Sequence, residues 1–407
     1  MFDLRRSLAT IMAIGLIAST AACSDESEPA FAEPPTATSA GASASASAPV
    51  TESTAAAGPV TLTVTPAANK KDVPVSAEIG VKVSGGEVSS VTLTDAKGKA
   101  VSGRLREDKS AWVPDKPLKT NQKYAAKVVA TGADGKSTTA TTSFTTMGAP
   151  GRETGTGLYL FDGNTYGVAM PVVVEFNPGI KKADRAAVQK RMFVETSPAQ
   201  PGVWSWTAAG TQAYYRAPEY WQTGTTMKVR IAVGGLPTGG GRYGDQDRSA
   251  TVKIGRKFEM NVDNASKKMT VVENGAKVRT IPVSLGKKST PSSSGHMVVM
   301  EKKAATVFDT TDTDGAAGYR TDIEYAQRLT WSGQYIHSAP WSTGAQGRTN
   351  VSHGCVNVSP SNARWLFEKS LIGDPVVVKG TGDKLDYGNG WTPWDVSWEK
   401  FKEGSAL

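Results

Sequence analysis

Thr349-Asn350-Val351-Ser352-His353-Gly354-Cys355-Val356-Asn357, followed by Ser359-Pro360-Ser361-Asn362-Ala363, carries more chemistry than any other part of this 407-residue chain. It holds one of two cysteines and one of three histidines, and His296 and His337 lie in the same C-terminal part. Ser359 suits a helix N-cap, Pro360 the first helical position, and Trp365, Leu366 and Phe367 supply apolar surface before a stop at Gly373. Cys355 is therefore expected on a loop just before a short strand and a capped helix. Runs of β character surround it: Phe258 to Val262, Met269 to Glu273, Val278 to Leu285, Met297 to Met300, Tyr335 to His337 and Val376 to Lys379.

A nucleophilic thiol needs a base, a fixed orientation for that base, and donors for the oxyanion formed on attack. Cys23 stands beside an N-terminal apolar run, which leaves Cys355 without a disulfide partner in a chain that reads as exported; a leftover cysteine there is a crosslinker or a reactive thiol. His337 ends the alternating run Trp331 to Ile336 and precedes Ser338, so its ring can project from a strand end. His353 lies two residues before the thiol, and the amides of Gly354 and Cys355 are candidate oxyanion donors. Two bland readings stand beside this one, an inert core cysteine and a zinc site. A zinc site wants a further ligand, and neither a second cysteine nor a close acid follows.

Working outward, residues 59–148 alternate in Val60 to Val64, then Ile79, Val81 and Val83, then Val91 and Leu93, with turns at Asp95-Ala96-Lys97-Gly98 and Asp134-Gly135. This pattern has the look of an immunoglobulin-like sandwich without a disulfide. Residues 149–254 repeat the theme in Val172 to Phe176, Trp204 to Trp206 and Met227 to Ile231, with a short helical excursion over Asp184 to Lys190. Neither block holds histidine or cysteine, so both read as spacers. Residues 255–379 form the third, β-rich domain, and 380–407 an aromatic tail packing back on a neighbouring domain. Within that tail Trp394 and Trp398, at helical spacing, should share one face. His296 is expected on a surface turn. The fold class is thus mainly β.

At the N-terminus, residues 1–23 read as an export leader: Arg5 and Arg6, the apolar Leu8 to Ile17, and small residues from Ser19 to Ala22. Cys23 after small residues resembles a lipobox cysteine, although Thr20 stands where leucine is usual. Residues 24–58 are Ala, Ser, Thr, Pro, Gly and acids, a composition that cannot form a core and suits a flexible tether. The net charge of +8 is spread along the chain and not clustered. That argues against a nucleic-acid partner and suits work beside anionic envelope polymers.

His337-Ser338, Trp341-Ser342, Gly344 to Gly347 and Thr349 to Asn357 closely resemble the active-site motif of L,D-transpeptidases. The likeness extends through Ser359 to Ala363 and upstream to Tyr319-Arg320-Thr321-Asp322, and is nearest the actinobacterial lipoprotein type, which carries two immunoglobulin-like domains before the catalytic domain. The resemblance implies that Cys355 attacks a peptidoglycan tetrapeptide stem, expels D-Ala and forms a thioester, which a stem amine resolves as a 3→3 crosslink. It implies His337 as acid/base, Ser338 orienting it through its carbonyl, and His353 and Gly354 shaping the nucleophile loop. Tyr319, Ser332, Gly333 and Asn357 match substrate-pocket positions, with Met300 and Trp341 as looser suggestions. Carbapenem β-lactams are implied as covalent inhibitors, Cys23 as a lipid anchor at the outer face of the plasma membrane, and no cofactor. Some relatives bind calcium in the second immunoglobulin-like domain, but Gly234 to Gly241 holds no acid, so no metal is expected. An L,D-carboxypeptidase and a wall-binding scaffold are the rival readings.

Overall fold

The structure, a computed structural model, describes residues 59–311 and 318–407. The expected leader, Cys23 and the polar tether lie outside the described residues.

Two four-stranded sheets make the first sandwich: Thr61–Thr65, Ile79–Ser84, Ala111–Pro114 and Gly103–Leu105 in one, Lys70–Val73, Ser137–Thr146, Lys123–Gly132 and Gly86–Asp95 in the other. The strand period of two does the sorting. Along Lys123–Gly132 the side chains of Tyr124, Ala126, Val128 and Ala130 point inward between exposed neighbours, meeting Ile79, Leu93 and Phe144. The second sandwich pairs a four-stranded with a six-stranded sheet. Its strand Val172–Asn177 runs between Glu153–Leu158 and Gln212–Arg216, and Val172, Val173 and Val174 are all buried. The helical excursion is a 3-10 turn at Lys182–Asp184 leading into the helix Arg185–Gln189.

The third domain has two sheets. Ala276–Pro282, Lys268–Glu273, Phe258–Asp263, Pro375–Lys379, Ser293–Val298 and Asp383–Lys384 form one, and Glu301–Asp309, Arg320–Arg328, Tyr335–Ser338 and Val356–Val358 the other. The helix Pro360–Lys369 packs Ala363 and Leu366 into the core they share, and the Ser359 hydroxyl accepts from the Asn362 amide. The chain is mainly β, with two immunoglobulin-like sandwiches ahead of the β-rich domain.

Several expectations require correction. The helix ends at Lys369 with Ser370 extended, so Gly373 does not terminate it. At φ +90 Gly373 instead sits against Met170 of the second sandwich. His296 lies on a strand, Ser293–Val298, with its side chain exposed, and not on a turn. Trp394 and Trp398 do not share a helix, because extended Val396 separates the 3-10 turn Pro393–Asp395 from the helix Trp398–Lys402. Their rings converge by another route, both lying within about 5 Å of the Arg216 guanidinium, at 4.7 and 5.2 Å. Arg216 belongs to the second sandwich, so the tail does pack back on that domain, where Trp391 and Phe401 join its core.

Candidate active site

Two neighbouring strands set the geometry. Tyr335–Ser338 and Val356–Val358 run parallel, with Ile336 opposite Val356 and His337 opposite Asn357. Side chains alternate along a strand, so Ile336, Val356 and Val358 enter the core while His337 and Asn357 share the other face. Cys355, two residues before Asn357, falls on that face too. Thiol and imidazole therefore open into one cleft of about 310 Å³, lined also by Phe308, Tyr319, Thr321, Ile323, Trp341, Val351, Ser352, His353 and Asn357. No acid is among the lining residues. A larger hollow of about 830 Å³ lies between the two sandwiches, but it is lined by neither cysteine nor histidine.

His337 is 3% exposed, and its Nδ1 lies 2.8 Å from the Ser338 carbonyl oxygen. A carbonyl only accepts, so the proton sits on Nδ1 and Nε2 is left with a lone pair. Phe308 and Trp341 flank the ring. Burial holds the imidazole below its ordinary pKa, with the Ser338 bond pulling the other way. Burial likewise pushes the Cys355 thiol up to about 11, opposed by the Tyr335 amide. The resting pair is thus a thiol and a neutral imidazole, and attack requires the base to remove the proton as the new bond forms.

The nucleophile loop is tied by its own serine: Ser352 Oγ donates to the Cys355 carbonyl at 2.6 Å and accepts from the Gly354 amide at 3.2 Å. Gly354 has φ +124, a region costly to a side chain, which explains the glycine. Its amide is already engaged by Ser352, which leaves the Cys355 amide as the oxyanion donor of the expected pair. Gly333 reaches the site through its carbonyl, 3.7 Å from the Cys355 sulfur. Ser332 turns away to Asn389. Asn357 donates through Nδ2 to Ser342 at 3.2 Å, while its buried Oδ1 has no partner among the described residues. Trp341 stands on the rim, 58% exposed.

Met300 is not at the cleft. Alternation sends Met297 and Val299 into the core of the third domain and Val298 and Met300 into that of the second sandwich, beside Trp391. Phe308 and Ile323 were missed by sequence reasoning, and Thr321 and Val351, though inside the quoted stretches, were given no role. The only signal for Phe308 and Ile323 was weak alternation in a polar hairpin.

Residues 257–378 match the model of the L,D-transpeptidase catalytic domain, and residues 70–237 match that of the bacterial Ig domain. The chain is 34% identical over 339 residues to L,D-transpeptidase 2 of Mycobacterium tuberculosis (strain CDC 1551 / Oshkosh), covering 82% of each. It is 36% identical over 355 residues to L,D-transpeptidase 5 of Mycobacterium tuberculosis (strain ATCC 25618 / H37Rv), covering 85% of this chain and 77% of that one. The chain belongs to the L,D-transpeptidase family. A solved structure of LD transpeptidase LdtMt1 in complex with imipenem is 33% identical and covers 56% of this chain and all of its own, with a TM-score of 0.47.

As a member of the family, the protein is a transpeptidase whose nucleophile is a cysteine. Among the described residues no group of three His, Cys, Asp or Glu side chains is placed to hold a metal.

Proposed function

We propose that the Cys355 sulfur attacks the carbonyl that joins the third residue of a peptidoglycan tetrapeptide stem to its terminal D-Ala. His337 Nε2 takes the thiol proton as the carbon–sulfur bond forms, and the Cys355 amide stabilises the oxyanion. Collapse breaks the carbon–nitrogen bond, and the imidazolium returns the proton to the departing amine of D-Ala. A stem amine then attacks the thioester, gives a proton to His337, and the sulfur leaves to recover it, completing a 3→3 crosslink. The observation that carries this reading is the placement of Cys355 and His337 on one face of paired strands, above a cleft free of acids, with Nδ1 fixed by Ser338.

Incubation with a disaccharide tetrapeptide and mass analysis tests it. A dimer lacking one D-Ala is the expected product; tripeptide alone would mean that water resolves the thioester, and unchanged substrate would revive a scaffold role. The same attack of the sulfur on a carbonyl carbon makes carbapenems expected acylating agents, with the adduct lost in Cys355→Ala. We further infer export and lipid anchoring at the outer face of the plasma membrane. The support is Arg5, Arg6, the apolar Leu8 to Ile17 and the small residues before Cys23, with residues 24–58 as spacer.

A further inference from the structure

Resting on the acyl-transfer reading above, we propose that Lys287 is a specificity residue of the donor site, holding a carboxylate of the donor stem at the mouth of the cleft. Gly286 bridges to Ser352, and the Lys287 amide donates to the Ser352 carbonyl at 2.9 Å, so this lysine is built onto the nucleophile loop. Its Nζ lies 3.0 Å from His353 Nε2. An ammonium has three donors and no acceptor. His353 Nε2 therefore accepts, its proton sits on Nδ1, and two ammonium N–H groups remain. The His353 ring is itself held against Tyr319, with centroids 5.2 Å apart.

The charge of this ammonium is uncommitted. Among the described residues neither Lys287 nor Lys288 forms an ion pair, whereas Arg320, on the hairpin, is paired with Asp309 at 2.6 Å. No acid lines the cleft that could compete for it. The donor supplies what is missing. The carbon of its C-terminal D-Ala carboxylate lies three bonds beyond the attacked carbonyl carbon, at most about 3.7 Å away in an extended peptide. A third residue with a carboxylated side chain brings a second such group. Both are the same chemistry, a carboxylate presented to a cation that touches the cleft-lining His353.

Steady-state acylation by three donors separates the sources: the free tetrapeptide, the tetrapeptide amidated at its C-terminus, and the tetrapeptide amidated at the side chain of the third residue. For Lys287→Met we expect KM to rise about tenfold on the free donor with kcat within twofold, the mark of lost binding common to ground and transition states. Lys287→Arg should restore most of it. The amidated donor on which wild type and Lys287→Met converge identifies the carboxylate held. An unchanged KM on the free donor overturns the proposal, as does an equal loss on all three donors, which would mean a distorted loop. Should the wild-type protein form no thioester with any donor while iodoacetamide still alkylates Cys355, the acyl-transfer reading itself falls, and this proposal with it.

Discussion

At neutral pH the nucleophile should alkylate more slowly than a free cysteine. Burial pushes the Cys355 thiol up to about 11, so roughly one molecule in 10⁴ is thiolate at pH 7, against about 3% for an unperturbed thiol near pKa 8.5. That is a deficit of about 300-fold in the reactive form. A more basic thiolate is intrinsically the better nucleophile, and a Brønsted slope of about 0.4–0.5 returns roughly tenfold of it. The net expectation is iodoacetamide alkylation about 20- to 30-fold slower than for cysteine in a short peptide, with a rate that climbs with pH towards about 11.

Acylation by a donor stem should follow a different curve, because there His337 removes the proton during attack. Its pKa is lowered, so the neutral base is fully present above the ordinary imidazole range and is lost only as pH falls below it. kcat/KM should therefore rise on the acid side of about 6.5 and level off long before the thiol titrates. Quenched-flow mass spectrometry of the two reactions between pH 5 and 10 checks both curves. Steric access lowers alkylation at every pH alike, so the slope separates access from ionisation. A Cys355 that alkylates at pH 7 as fast as a free thiol, with a plateau already reached, would reveal a preformed thiolate–imidazolium pair and refute the neutral resting state.

Two further expectations concern the frame around the site. Asp374 is fully buried at the junction with Gly167 of the second sandwich, its Oδ1 unpartnered among the described residues, and burial pushes its pKa up to about 7. The Leu371 amide, 2.7 Å from Oδ2, pulls the other way, as do Arg256 and Lys302, but Arg256 stands 3.9 Å off and Lys302 donates to the Ser370 carbonyl, so burial wins. The folded state then binds the extra proton, and stability is greatest below the unfolded value near 3.9 and falls by about 4 kcal/mol as pH rises to about 7. Asp374→Asn should flatten this difference in thermal unfolding between pH 4 and 8; a slope shared with wild type would count against it. Arg216, 2% exposed, donates to the carbonyls of Ala217, Pro218 and Val396 and lies under three rings of the tail. Arg216→Met should cost about 2 kcal/mol and open the tail to trypsin, and an unchanged melting temperature and digest would remove this clasp from the account.

Local patterns were legible where one residue type dictates one geometry. Ser359-Pro360 announced a helix start, alternating Val60 to Val64 announced a half-buried strand, and the Cys355 stretch announced its family. What stayed hidden depended on partners distant in sequence. Met300 looks like any strand methionine until alternation across Met297 to Met300 assigns it to the other core. The Gly354 amide looks free until the Ser352 hydroxyl is found on it. Trp394 and Trp398 converge through Arg216 of another domain, which no spacing reveals. The hairpin Glu301–Asp309 with Arg320–Arg328 was obscured because one arm begins Glu301-Lys302-Lys303 and the other carries Asp322 and Glu324, so its apolar face is interrupted.

That concealed hairpin matters most for the chemistry. It brings Phe308 and Ile323, and beside its second arm Tyr319 and its Thr321, over the thiol and imidazole. Two strands alone would leave His337 and Cys355 half-open to water, where neither pKa would move far. Covered by aromatic and aliphatic side chains, both groups are driven to their neutral forms, and the proton must move within the cleft during reaction. The polar character that hides these strands in the sequence is the outer face of the same arms. Their inner face supplies the low dielectric that makes a buried thiol wait for its substrate.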